Sequence, residues 1–200
     1  MNYSVIIEGI DRIGKGTQIQ LLKTFLTKKN NKSTHIIHYS YFKNMDSEES
    51  KYYSEKLYND MFWLLASTNF NIICDRSHIG EYVYSKMYRE YDGNYVFDIE
   101  KKFINMNGFG ASLNEGYGYN IWDYYKTELI LLVFYTDDID TILSRYDGES
   151  LSNNKKELIE QEQLKFHEAF KKSNIKRKGL INVTNKTPEE IFNEIRKYLR

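Results

Sequence analysis

Gly9-Ile10-Asp11-Arg12-Ile13-Gly14-Lys15-Gly16-Thr17 is the stretch that decides how this chain is read. It follows Tyr3-Ser4-Val5-Ile6-Ile7-Glu8, a short apolar run that reads as a buried strand stopped by Gly9. It precedes Gly16 to Lys29, which reads as a helix with Ile19, Leu21, Leu22 and Phe25 on its apolar side. Two glycines bracketing four residues, with a lysine next and a strand and helix on either side, form the P-loop pattern. The pattern has a mechanism. Glycine lets the backbone curl until successive N–H groups face one anion, and the following helix adds the positive end of its dipole. Lys15 then supplies a mobile cation for the β- and γ-phosphates. Gly14, Lys15, Gly16 and Thr17 are therefore the expected ATP-binding residues. Gly16 stands directly after the lysine, and the hydroxyl comes one place later, at Thr17. Two roles remain open for Thr17: ligand of Mg²⁺, or contact to phosphate oxygens.

Outward from this loop, strands and helices alternate. His35 to Tyr39, Asn71 to Asp75, Leu129 to Tyr135 and Leu180 to Val183 read as strands. Ser47 to Ser67, Ile79 to Tyr91, Val96 to Met106, Asp138 to Arg145 and Asn154 to Lys172 read as helices, and Pro188 opens a last one. Five strands in this rhythm predict an α/β fold with a parallel sheet covered by helices on both faces. Ligands in such sheets lie at the carboxyl ends of the strands. Asn107 to Gly118 holds four glycines and reads as a flexible insertion or, less simply, a second flap.

The 200 residues suffice for one domain spanning 1–200, and neither a linker nor a repeat divides them. Equal numbers of basic and acidic residues, 28 of each, argue against a nucleic-acid partner, which needs clustered positive charge. The basic run Lys171 to Lys178 reads as a solvated helix end and turn. No apolar run reaches membrane-spanning length and no leader pattern opens the chain, so no membrane contact is expected. The single cysteine, Cys74, reads as a buried small hydrophobe and suits a reducing, cytoplasmic setting.

A second constellation closes the third strand: Asp75-Arg76-Ser77-His78. Asp75 is placed to hold Mg²⁺ through water or to steer an acceptor. Arg76 reaches into the same crevice, where a guanidinium suits phosphate oxygens. Glu81 and Tyr84 share a helix face and are candidates for the wall of an acceptor pocket, with Arg89 a weaker one; His78 reads as another piece of that wall.

Gly-Ile-Asp-Arg-Ile-Gly-Lys-Gly-Thr-Gln with a downstream Asp75-Arg76 resembles the thymidylate kinase family of nucleoside monophosphate kinases. Cys74 to Ser85 is especially similar to phage-encoded members, and Tyr146 to Ser152 falls where the family has its lid. The resemblance implies a P-loop nucleoside kinase fold with a short lid, ATP and Mg²⁺ as cofactors, a nucleoside monophosphate such as dTMP as acceptor, and a homodimer in the cytoplasm, that of the host for a viral member. It implies roles too. Asp11 would accept a hydrogen bond from the acceptor sugar, and Arg12 would contact the transferring phosphoryl group. Arg76 would hold the acceptor phosphate, and Arg145 would approach the donor phosphates as the lid closes. Asn185 lies in Ile181 to Lys186, which is similar to the family's adenine-holding loop. Two places depart from the family. Lys43 stands near where an arginine grips the monophosphate. The helix of residues 47–67 offers Tyr53, Tyr58, Phe62 and Trp63 to the base but no arginine. The rival readings are a deoxynucleoside kinase and a nucleotide-binding switch. The first needs a carboxylate base at the end of the second strand, and residues 38–44 contain no Asp or Glu.

Overall fold

A computed structural model describes residues 1–39, 45–105, 126–148 and 150–200. Lys43, the glycine-rich stretch 107–118 and one residue of the lid segment lie outside the described residues.

Five strands form one parallel sheet: β1 (Asn2–Glu8), β2 (Thr34–His38), β3 (Asn71–Asp75), β4 (Thr127–Tyr135) and β5 (Arg177–Asn182), in the spatial order β2-β3-β1-β4-β5. Every residue of β1 is buried, which is why the sequence there runs apolar without alternation: a central parallel strand is covered on both faces. From β1 the chain passes out to β2, returns through β3, and then crosses to the other side of β1. That reversal makes the carboxyl end of β1 the switch point of the sheet.

The helices are α1 (Lys15–Asn30), α2 (Ser47–Ser67), α3 (His78–Tyr88), α4 (Tyr95–Ile104), α5 (Ile139–Ser144), α6 (Lys156–Lys172) and α7 (Pro188–Ile195), with a terminal 3₁₀ turn at Arg196–Leu199. Helix α1 packs with α7, while α3 packs on α4 and α6 and α2 on α4. Phe62, Phe134 and Phe166 are fully enclosed between these layers. Several helix starts are explicit in sequence. Asp46 accepts the Glu49 N–H, and Thr187 forms a reciprocal capping box with Glu190 ahead of which Pro188 sits at the first turn.

Some boundaries differ from expectation, each for a local reason. Helix α3 stops at Tyr88 rather than Tyr91, because Glu90 takes a left-handed φ of 62°. Helix α6 starts at Lys156 because Asn153 and Asn154 are both left-handed. The largest difference is β5. Arg177 and Lys178 are strand residues, not a solvated turn. Lys178 Nζ donates to the carbonyls of Phe170 and Ser173 and so closes the end of α6, and Arg177 pairs with Glu128 at 3.0 Å. Charge on this outermost strand also guards its open edge. Cys74 is buried as expected. Among the described residues no helix is long and apolar enough to cross a membrane.

Candidate active site

The loop after β1 is shaped by two glycines. Gly9 has a φ of 137°, and a Cβ there would sit 2.7 Å from the Phe134 carbonyl oxygen. Only glycine satisfies both conditions. Gly14, at φ 93°, precedes α1 and offers no side-chain cap. The first N–H groups of α1 are therefore left facing the loop, which makes them an anion site. Lys15 is the first residue of α1 and is 8% exposed. Its Nζ donates to the carbonyls of Gly9 and Ile10, both at 2.8 Å, so the cation lies folded into the loop. Burial pushes its pKa down, and the Asp11 carboxylate opposes that.

The end of β3 faces this loop. Arg76 is left-handed at φ 71°, and its guanidinium meets Asp11 Oδ1 at 2.6 Å. Asp75 Oδ2 lies 3.0 Å from Nδ1 of His38, the last residue of β2. Ser77 caps α3 by accepting the Ile79 N–H and donates its own hydrogen to Glu8 at 2.7 Å. Glu8, 1% exposed, also accepts the Gly80 N–H at 3.0 Å. Burial pushes the Glu8 carboxyl up in pKa, against those two hydrogen bonds. This carboxylate ties the root of the P-loop to the first turn of α3, and so fixes Arg76 relative to Lys15.

The third contribution comes from the lid side. Arg12 lies over the Tyr146 ring at 5.0 Å and donates to Asn154 Oδ1 at 3.0 Å. Arg145 donates to the Arg12 carbonyl at 3.2 Å. The Nε of Arg12 is buried and has no hydrogen-bond partner among the described residues. A buried unpaired donor costs about 1–3 kcal/mol, and an acceptor bound beside Arg12 would remove that cost. Glu162 on α6 is 3% exposed and accepts the Tyr88 hydroxyl at 2.6 Å. Burial pushes it up to about 7, in the field of Asp11, Lys15 and Arg12.

The structure gathers most of the expected residues around one cleft of about 350 Å³, lined by Asp11, Arg12, Gly14, Lys15, Gly16, Thr17, His38, Asp75 and Arg76. Arg145 adjoins it through Arg12. Tyr58 and Tyr84 do not line it; they are 4% and 6% exposed, and Tyr84 packs on Tyr88 and Phe166. Asn185 is left-handed, in the turn after β5. His78 is not a pocket wall: it is fully buried, with Nε2 on Glu100 at 2.9 Å. Glu81 is buried as well, holding Arg89 at 2.6 Å and the hydroxyls of Tyr91 and Tyr95. Two residues escaped sequence reading, His38 and Glu162. Glu162 carries a legible signal, since it sits on the apolar stripe Ile159, Glu162, Phe166, Ala169.

Among the described residues no cluster of three His, Cys, Asp or Glu is arranged to hold a metal. Besides Asp11, which is paired with Arg76, the side-chain oxygen donors at the cleft are those of the exposed Thr17 and of Asp75. Two hard oxygens suit Mg²⁺, which keeps most of its shell as water and substrate phosphate.

No family model and no curated protein matches the chain. Solved structures do. Thymidylate kinase from Ehrlichia chaffeensis superposes with a TM-score of 0.61 at 16% identity, over 100% of this chain and 99% of that one. Thymidylate kinase from Candida albicans gives 0.57 at 15% identity, over 98% and 90%. A polyphosphate kinase 2 from Pseudomonas aeruginosa gives 0.59 at 11% identity, over 100% of this chain but 39% of that one. With both thymidylate kinases the likeness spans nearly the whole of each chain. The fold is that of a P-loop kinase, thymidylate kinase-like in its full extent.

Proposed function

We propose that this chain is an ATP-dependent nucleoside monophosphate kinase that uses Mg²⁺, with dTMP the leading acceptor. The observation that carries the reading is the Asp11–Arg76 pair at 2.6 Å. It joins the P-loop, where a donor triphosphate would lie, to the end of β3, and so gives one cleft a cation for each of two polyanions.

The chain's own groups supply what phosphoryl transfer asks of a protein, positioning and charge. The P-loop N–H groups and Lys15 take the donor's β- and γ-phosphates, Lys15 exchanging the Gly9 and Ile10 carbonyls for phosphate oxygens. Arg76 leaves Asp11 for the acceptor phosphate, which frees Asp11 for the acceptor sugar. Lys43 adds a cation on the acceptor side. Arg12, with its unpaired Nε, follows the phosphoryl group between them, and Arg145 arrives with the lid, about residues 146–152. Tyr84 and Tyr58, expected at the acceptor, are buried outside this cleft, and Asn185 would lie by the adenine. Bound through Thr17 and Asp75, Mg²⁺ would neutralise charge on the donor phosphates. A monophosphate oxygen is already ionised, so this transfer requires no base.

The fold likeness supports the reading, and the Candida albicans enzyme, described as having broad substrate specificity, is a reason to test more than one base. The family resemblance adds a homodimer and a cytoplasmic location to the proposal. A coupled ADP-release assay with ATP, Mg²⁺ and a panel of nucleoside monophosphates tests it. Release that depends on a monophosphate and is lost in Lys15→Ala is the expected result. ATP binding without turnover on any acceptor would favour a nucleotide-binding switch instead.

A further inference from the structure

Arg12 is held from three sides by the ends of α5 and α6 and the segment between them. Its guanidinium lies 5.0 Å from the centre of the Tyr146 ring. Its Nη1 donates to Asn154 Oδ1 at 3.0 Å, and Asn154 Nδ2 donates in turn to the Leu143 carbonyl at 3.3 Å. Arg145 Nη1 donates to the backbone carbonyl of Arg12 at 3.2 Å. The backbone is special at both ends of the Arg12–Asn154 contact. Arg12 has a φ of 63° and Asn154 one of 58°, both left-handed, a conformation that costs most side chains and that asparagine tolerates. Tyr146 is 41% exposed, so its ring is not a piece of the core. The ring contact it makes among the described residues is with Arg12.

A guanidinium stacked on an aromatic face keeps its N–H groups in its own plane, clear of the ring. The Tyr146 ring therefore fixes the plane of Arg12, and Asn154 fixes its rotation within that plane by holding one nitrogen. Nε stays buried and without a hydrogen-bond partner among the described residues, while Arg12 lines the cleft with Lys15 and Arg76. Residues 146–154 contain no arginine or lysine. What they bring to the cleft is a ring and an amide that aim a cation of the P-loop. We propose that Tyr146 and Asn154 are positioning residues for the transfer step, holding Arg12 with its free N–H groups toward the phosphoryl group being transferred. The inference rests on the monophosphate kinase reading of the cleft and deepens it. The two residues act through Arg12, by removing its rotamer freedom before the reaction starts. A cation fixed in advance acts on the charge that develops in the transition state, so the effect falls on kcat and leaves ground-state binding alone.

The test compares steady-state transfer from ATP, with Mg²⁺, to nucleoside monophosphates in wild type, Tyr146→Phe, Tyr146→Leu, Asn154→Gly, Arg12→Ala and the double variant Arg12→Ala/Tyr146→Leu. Phenylalanine keeps the ring and should keep the wild-type kcat. Leucine should lower kcat by on the order of tenfold, the weight of one stacked cation, with KM unchanged for both substrates. Asn154→Gly retains the left-handed backbone, loses Oδ1, and should lower kcat in the same way. Without Arg12 the ring has nothing to aim, so the double variant should match Arg12→Ala alone. Equal proportional losses from Tyr146→Leu with and without Arg12 would show that the ring acts on the fold and not on the guanidinium. A kcat raised by Tyr146→Leu would show that the stack parks Arg12 away from the reaction. A loss confined to KM would place the ring at a nucleotide. Each of these three results overturns the proposal and leaves the monophosphate kinase reading standing, whereas a wild type that transfers to no monophosphate removes both.

Discussion

Replacing Glu162 by glutamine should remove a pH dependence from the stability of this protein, and the sign follows from where the side chain lies. Glu162 is 3% exposed on α6, and burial pushes it from the usual carboxylate range up to about 7. Between about pH 4.5 and pH 7 the folded chain therefore holds a proton at this site that the unfolded chain has lost. Stability falls as pH rises through that window and levels off above it. A displacement of this size corresponds to about 3 kcal/mol. Glutamine carries no charge at any pH, and its amide oxygen still accepts the Tyr88 hydroxyl, now at 2.6 Å from the carboxylate. Urea unfolding at pH 5 and pH 8 reads the effect. The two proteins should be nearly equal at pH 5, and the variant should be more stable at pH 8 by up to about 3 kcal/mol. The same pH dependence in both proteins would refute the reasoning, because other raised groups such as Glu8 are common to the two.

Binding of a triphosphate beside Lys15 and Arg12 brings negative charge toward Glu162, so ATP binding near pH 7 should take up a proton in wild type and not in Glu162→Gln; calorimetry in buffers of different ionisation enthalpy measures this. Ser77→Ala removes the cap of α3 and one of two donors to the buried Glu8. It should cost about 1–3 kcal/mol in urea unfolding, and an unchanged midpoint would contradict the role given to Ser77. Gly9→Ala places a Cβ 2.7 Å from the Phe134 carbonyl at a φ of 137°. It should lower ATP affinity at least about tenfold or stability by about 2 kcal/mol or more, and wild-type values of both would show that the loop does not need its present course.

The P-loop was legible because its signal is local: Gly9, Gly14 and Lys15 sit within seven residues, between a strand and a helix that their own patterns announce. Arg76 and Asp75 were legible for the same reason, as the charged end of an apolar strand. The His38–Asp75 pair was not, since 37 positions separate the two and only the parallel register of β2 on β3 joins them. Arg177 and Lys178 read as solvent-facing residues because charge on an edge strand resembles charge on a turn. Glu162 hid among the charges of Lys155 to Lys165, and its place on the apolar stripe emerges only when that helix is read in steps of three and four. Glu100 is a parallel case on α4. It is fully buried, accepting the Ser173 hydroxyl at 2.7 Å and facing His78.

The reaction proposed for this chain is phosphoryl transfer between two nucleotides within the cleft around Lys15 and Arg76. The most direct test mixes the protein with Mg²⁺, ATP labelled in the γ-phosphate, and dTMP, and separates the labelled products. Label should appear in the terminal phosphate of a new nucleoside diphosphate, with none formed by Lys15→Ala. Label that stays in ATP, or that appears only as inorganic phosphate with dTMP and every other monophosphate tried, would contradict it.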